Sequence, residues 1–306
     1  MSKVTLTLPA YRIILSLIFW VFILTATDCF AQVDIEKIKW IHGTSDCSQN
    51  KDSFAQVVQY DSNTYIIRQN KCLNYEAPFL YLFIGYERAL LVDTGAKTEL
   101  SFPIYQSITQ IIGKKTNRLG EPLPLTVIHS HGHGDHKAND FQFLNKPVVA
   151  LIGADKESLL EFFQFKNWPN ESVKYHLGGR ELTIIPIPGH DMISIALYDS
   201  HTKWLLTGDT VYPGRLYVRD WSAFKNSIDR LIRFCENNAV TFLMGNHIEM
   251  TNQSEADYPT GTTYQPKEHA LPLQPGVLIE IRDACKGKTV APTRDIHSDF
   301  IIEAVH

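Results

Sequence analysis

The chain has 306 residues, 44% of them hydrophobic, enough for a sizeable core in one large domain or two small ones. A formal net charge of −4 gives no footing for nucleic acid or an anionic membrane surface. Its 17 glycines and 15 prolines are ordinary for this length and argue against a fibrous or disordered chain.

The first element reads as a leader. Lys3 and Arg12 precede an apolar run, residues 13–24, of the length of a signal-peptide core and short for a spanning helix. Cys29 and Ala31 supply the small residues of a cleavage site, so residues 1–31 are expected to be removed as a signal peptide. Two alternatives stay open: retention as a single membrane anchor, and lipidation at Cys29, which Asp28 disfavours. Export, periplasmic or secreted, would leave the mature chain in an oxidising compartment with no stable membrane association. The remaining cysteines, Cys47, Cys72, Cys235 and Cys285, allow three full pairings. Cys47 and Cys72 flank the first strands and could staple them. Cys235 lies on the apolar stripe of a helix and reads as a buried free thiol. No pair has the spacing of a zinc ribbon.

Residues 55–60, 64–69, 79–86 and 89–95 read as strands of a meander. A helix follows, with Pro103 at its start, Ile104, Ile108 and Ile111 on one face and Gly113 past its end. Residues 125–130 form an apolar strand running into a histidine cluster, and residues 146–154 form another strand. Residues 155–165 read as a helix capped by Asp155. Strands follow at 181–190, 193–200 and 203–210. Trp221, Phe224, Ile228, Leu231, Ile232 and Cys235 recur at helical spacing, and residues 239–247 are one more strand. From Thr251 onward the chain is broken by proline, with strand-like runs at 276–281 and 300–305. The expectation is one α/β (α+β) domain, sheets packed together with helices outside, in which residues 32–250 carry the chemistry and 251–306 complete the fold.

The chemistry concentrates where strands end. After the strand at 125–130, Gly132 and Gly134 allow a tight loop that brings His131, His133, Asp135 and His136 into one small volume. Imidazoles and a carboxylate are zinc-type ligands. Three more candidates each follow an apolar run and a glycine: His190, Asp209 and His247. A lone histidine or Gly-Asp at such a place is more often an ordinary turn. Seven such residues in this order are not.

This order, HxHxDH and then His, Asp and His, resembles the metallo-β-lactamase superfamily of binuclear metallohydrolases, over roughly Tyr60 to His247. The resemblance implies an αββα sandwich. It implies that His131, His133 and His190 bind one metal, that Asp135, His136 and His247 bind a second, and that Asp209 bridges both. Asp93, in the Leu-Leu-Val-Asp-Thr-Gly segment, would orient a ligand from behind. Ala138 and Asn139 stand where the family often has glycines. His129 is expected to point away from the metals.

The expected cofactor is zinc, two ions per chain, with iron or manganese as alternatives. A metal-bridging hydroxide would attack an ester, lactone, thioester or amide carbonyl of a small-molecule substrate. Asp135 would orient the nucleophile or shuttle a proton, and Tyr212, three residues past Asp209, would donate to a developing oxyanion. Arg215, Tyr217 and, more weakly, Tyr264 could contact substrate. Competing readings are β-lactam or phosphodiester hydrolysis, a mononuclear iron oxygenase like persulfide dioxygenases, and a non-catalytic metal-stabilised binding protein. Composition carries no signal for oligomeric state.

Overall fold

The computed structural model describes residues 1–2, 33–98 and 102–305, and the chain divides into two units, Met1–Ala31 and Gln32–His306. The leader expected over residues 1–31 lies, past its first two residues, outside the described residues.

Two six-stranded sheets organise the second unit. The first holds β1 (Ala55–Asp61), β2 (Thr64–Gln69), β3 (Phe79–Ile84), β4 (Ala89–Val92), β5 (Leu125–Ile128) and β6 (Val149–Leu151), in chain order. Pairing is antiparallel from β1 to β4, then parallel through β5 and β6. The second holds β7 (Val173–His176), β8 (Glu181–Pro186), β9 (Ile195–Asp199), β10 (Trp204–Gly208), β12 (Phe242–Gly245) and β13 (Pro272–Leu273), with β12 parallel to β10. A small third sheet is built from β11 (Arg215–Val218), β15 (Ile301–Ala304) and β14 (Asp295–Ile296), in that order.

Alternation along the strands dictates the layers. All six residues of β3 are buried, so both of its faces must be covered. Ile66, Tyr81, Phe83 and Leu90 of the first sheet share one core with Ile184, Leu197, Trp204 and Leu206 of the second. Their neighbours Ile67, Leu80, Leu82 and Leu91 face outward onto Ile104, Ile108 and Ile112 of α1 (Ile104–Ile112). Ile185, Ala196 and Leu205 face outward onto α4 (Trp221–Asn237) and α5 (Val277–Cys285). The result is the expected αββα sandwich. Burying each such side chain contributes about 1.5–3 kcal/mol. A one-turn α2 (Gly134–Lys137) carries part of the histidine cluster, and α3 (Lys156–Phe163) packs Leu159 and Phe163 into the inter-sheet core.

Asp155 and Asp220 cap α3 and α4 by accepting from the Ser158 and Ala223 amides. Cys47 and Cys72 form a disulfide, while Cys235 and Cys285 are free. Several expectations need correction. Ile112, not Ile111, completes the fully buried stripe of α1, because the helix keeps an i, i+4, i+8 register. The run at 276–281 belongs to helix α5, whose buried positions Val277, Leu278, Ile281 and Cys285 recur at helical spacing. The strand expected over 146–154 shrinks to β6, since Val148 takes a left-handed φ of 54° just before it. β7 and β11 arise where no strand was expected.

Candidate metal centre

Each candidate ligand sits where a strand releases the chain at one edge of the sandwich. His131 follows β5, His133 caps α2, and Asp135 and His136 lie inside α2. His190 follows β8 through Gly189, Asp209 directly follows β10, and His247 comes two residues after β12. Gly189 is required there. Its φ is 148°, and a Cβ would stand 2.5 Å from the Phe224 Cα of α4.

The structure brings all seven together in two groups: His131, His133 and His190, and Asp135, His136, Asp209 and His247. Within each group the ligand atoms lie within 4.8 Å of one another. In the first, His133 Nδ1 is 2.9 Å from His131 Nε2 and 3.0 Å from His190 Nε2. In the second, Asp135 Oδ2 is 3.0 Å from His136 Nε2 and 3.2 Å from His247 Nε2. Asp209 Oδ2 links the groups, 3.4 Å from His136, 3.3 Å from His247, 3.7 Å from His131 and 3.8 Å from His190.

The outward nitrogens fix the tautomers. His190 Nδ1 must donate to the Tyr217 carbonyl at 2.8 Å, and His247 Nδ1 to the Glu76 carbonyl at 3.0 Å. His136 Nδ1 donates to the Asp93 carboxylate at 3.0 Å. Ser130 Oγ donates to Asp93 at 2.9 Å and so accepts from His131 Nδ1 at 3.0 Å. Asp93 also accepts from the Ser130 amide and from Asn246. With four outer nitrogens holding the protons, four Nε2 lone pairs face inward. His136 Nε2 and His247 Nε2 face each other at 3.5 Å, and the buried Asp209 Oδ1 has no hydrogen-bond partner. Converging lone pairs and an orphaned carboxylate oxygen are what a metal cation satisfies.

The electrostatics agree. Burial, then neighbouring His136, hold His131 well below the ordinary histidine pKa, and burial lowers His133 and His190 too. The downward shifts favour the neutral form, which carries the lone pair a metal would need. Burial also pulls on His136 and His247, but Asp135, Asp209 and, for His136, Asp93 outweigh it and raise both well above the ordinary value. Burial pushes Asp135 and Asp209 up, and their histidine neighbours overcome it to hold both far below the usual carboxylate range. A field that draws protons onto Nε2 draws a metal cation to the same place.

Other expected contributors fall into different places. His129 turns away, its Nε2 2.9 Å from Asp140. The Tyr212 hydroxyl donates to the Arg215 carbonyl and lies 3.1 Å from Glu249, while its ring packs edge-on against His247 with centroids 5.7 Å apart. The expected oxyanion donor is therefore corrected: its single proton is committed, and Tyr212 braces His247. Arg215 is held by Glu249 at 2.9 Å and Asp257 at 2.8 Å. Tyr217 borders the site, and Tyr264 packs against His42. Two cavities meet the cluster. One, about 140 Å³, is bounded by His133, Asp135, Asp209 and His247, and also by Lys71. The other, about 1030 Å³, shares Asp135 and Glu76 with it and extends past Asn139 and Phe141. Lys71, Glu76 and the main-chain acceptors gave no sequence signal; Asn246 could have been suspected from its place beside His247.

Residues 77–258, more than half the chain, match the family described as the metallo-beta-lactamase superfamily. Among curated proteins, the chain is 26% identical over 206 residues to the acyl-coenzyme A thioesterase MBLAC2 of Bos taurus, covering 55% of this chain and 72% of that protein. The Homo sapiens protein of the same name gives the same identity and coverage. Among solved structures, a metallo-beta-lactamase from Pontibacter korlensis aligns with a TM-score of 0.49 at 17% identity, covering 76% of this chain and 100% of that one.

Proposed function

The chain belongs to the metallo-β-lactamase superfamily, and from that premise we propose that it is a binuclear zinc hydrolase of thioesters or similarly activated esters. One observation carries the reading: six of the seven side chains that could hold a metal approach Asp209 or one another with inward-facing acceptors, four of them locked in that tautomer from behind. His131, His133 and His190 would hold one ion, Asp135, His136 and His247 the other, and Asp209 would serve both. When bound, the metals would supply a Lewis acid for the carbonyl oxygen and a water acidified toward neutral pH. Asp135 borders both cavities and would orient the attacking water, although its depressed pKa makes it a weak base. The thioester preference rests on the relatives that are named acyl-coenzyme A thioesterases. Export is part of the same proposal, supported by the leader composition and the Cys47–Cys72 disulfide.

The test is metal content together with turnover of thioester, lactone, β-lactam and phosphodiester substrates by the purified protein and its Asp209→Ala variant. About two zinc ions per chain, with thioester turnover falling more than about a hundredfold in the variant, is the expected result. Turnover unaffected by the substitution, or a chain that takes up no metal, overturns the reading. A single iron would move it to the oxygenase alternative.

A further inference from the structure

Lys71 is an unusual wall for a metal-site cavity. It borders the 140 Å³ cavity with His133, Asp135, Asp209 and His247, yet it is only 2% exposed. Among the described residues its hydrogen bond goes to the Tyr75 carbonyl, at 3.0 Å, and it forms no ion pair with a carboxylate. The other cation of this wall, Arg215, is neutralised by Glu249 and Asp257. Lys71 is also held in place. Asn70 on one side donates to the Ser53 carbonyl at 2.8 Å, and Cys72 on the other is tied to Cys47. Gly43 packs against its Cβ.

A buried ammonium with no carboxylate at ion-pair distance is costly, and at the wall of a ligand cavity that contact is one a ligand can bring. The cavity's size limits that ligand. About 140 Å³ is the space of four or five water molecules, suited to a short acyl chain and far too small for a nucleotide. The 1030 Å³ cleft that shares Asp135 and Glu76 is the roomier exit for a leaving group.

Resting on the hydrolase reading above, the geometry points to a substrate whose short acyl chain ends in a carboxylate, bound by the Lys71 ammonium, with the thiol or alcohol half in the larger cleft. The class is a monothioester or monoester of a short dicarboxylic acid. Burial, with Arg68 beside it, pulls the Lys71 pKa down to about 7. Glu268, Glu249 and Glu76 are the carboxylates that face it, and they pull the other way. An entering carboxylate would complete the protonation of the amine, so charge and fit reinforce each other.

The experiment compares glutaryl and pentanoyl thioesters of one small thiol, which differ only in the terminal carboxylate, in wild type, Lys71→Met and Lys71→Arg. A pentanoyl thioester of a carboxylated thiol moves the charge to the other half. Wild type is expected to favour the glutaryl ester in kcat/KM by about tenfold or more, through KM, from a charge-assisted hydrogen bond. Lys71→Met should abolish that ratio and Lys71→Arg keep part of it. No glutaryl preference in wild type, a preference that survives Lys71→Met, or an effect confined to the carboxylated thiol overturns the proposal. Calorimetric binding of glutarate against pentanoate gives a readout apart from turnover. If wild type hydrolyses neither thioester, the hydrolase reading fails. A tenfold tighter glutarate, lost in Lys71→Met, would still uphold the anion site, and equal binding would overturn it.

Discussion

Asp93 shows how much of the centre is decided behind the ligands. It takes a left-handed φ of 69°, which an aspartate tolerates, and is fully buried. Its carboxylate receives the Ser130 amide, Ser130 Oγ, His136 Nδ1 and Asn246. Asp93→Asn keeps the size and the backbone preference but puts a donor where acceptors are needed. We expect metal affinity, read by competition with a chelator, to fall about 10–100-fold while the far-ultraviolet spectrum stays native. His129→Gln should keep full metal content, since His129 bonds to Asp140. The candidate ligands stood out because His131, His133, Asp135 and His136 crowd one short glycine-bearing loop, and His190, Asp209 and His247 each follow an apolar run and a glycine. The groups that aim them were not, because the acceptors for His190 and His247 are the main-chain carbonyls of Tyr217 and Glu76. Any residue type supplies a carbonyl, so no side-chain pattern can announce it. Tyr212 was misread for a related reason: proximity in sequence to Asp209 says nothing of where its proton goes.

Among the elements, the turn from β8 to β9 is tightly constrained, because Gly189 packs against the start of α4. The Gly189 carbonyl accepts from the amides of Arg219 and Asp220, and its Cα hydrogen faces the start of α4. Gly189→Ala is expected to destabilise the fold by about 2 kcal/mol or more and to release metal from the three-histidine group first. Chemical denaturation and metal titration on one sample would check both, and a full metal complement at lowered stability would argue against the coupling. The Cys47–Cys72 bridge spans a separation of 25 residues, so its reduction should lower stability by about 3–4 kcal/mol on the loop-entropy estimate. Helix α3 was legible from its Asp155 cap and α4 from the helical period of its apolar residues. The segment of α5 was read as a strand because a short apolar run fits either state. What decides is a tertiary face, here the outer side of the second sheet, which covers Leu278 and Ile281. β11 went unread for the opposite reason, since four residues beside a Tyr- and Pro-rich turn carry too little pattern to mark a strand.

At the scale of the whole molecule, the two sheets are tied together by Arg180, one half of a buried ion pair inside the second sheet. Arg180 holds Asp199 through Nε at 2.8 Å and a terminal nitrogen at 2.6 Å. It also reaches across to the Asn63 carbonyl at 2.8 Å and Thr64 Oγ1 at 2.9 Å, at the β1–β2 turn. Burial pushes the Asp199 carboxyl up, but Arg180 and Thr202 outweigh it and leave its pKa below the ordinary value. A carboxyl that binds its proton less well folded than unfolded adds stability in full above its unfolded pKa and loses it as pH falls toward the lower folded one. Asp199→Asn should therefore cost about 3–5 kcal/mol near neutral pH, and the gap in Tm between it and wild type should narrow below about pH 4. A gap independent of pH would show that the pair is not what Asp199 contributes. The sandwich was readable from the mixture of strands and helices, whereas a clamp between residues more than a hundred positions apart was not.

The pairing of β11 with β15 has a temporal side. Tyr217, whose carbonyl aims His190, lies opposite Glu303 in that parallel pair. The ligand at 190 is thus steadied by a strand made more than a hundred residues later. On a ribosome adding about 5–20 residues per second, His131, His133 and His190 are all exposed for several seconds before that strand exists. On the proposed reading, the three-histidine group would reach its finished geometry only late in synthesis, and a chain stopped short of residue 301 would carry every candidate ligand yet is expected to hold an ion there loosely.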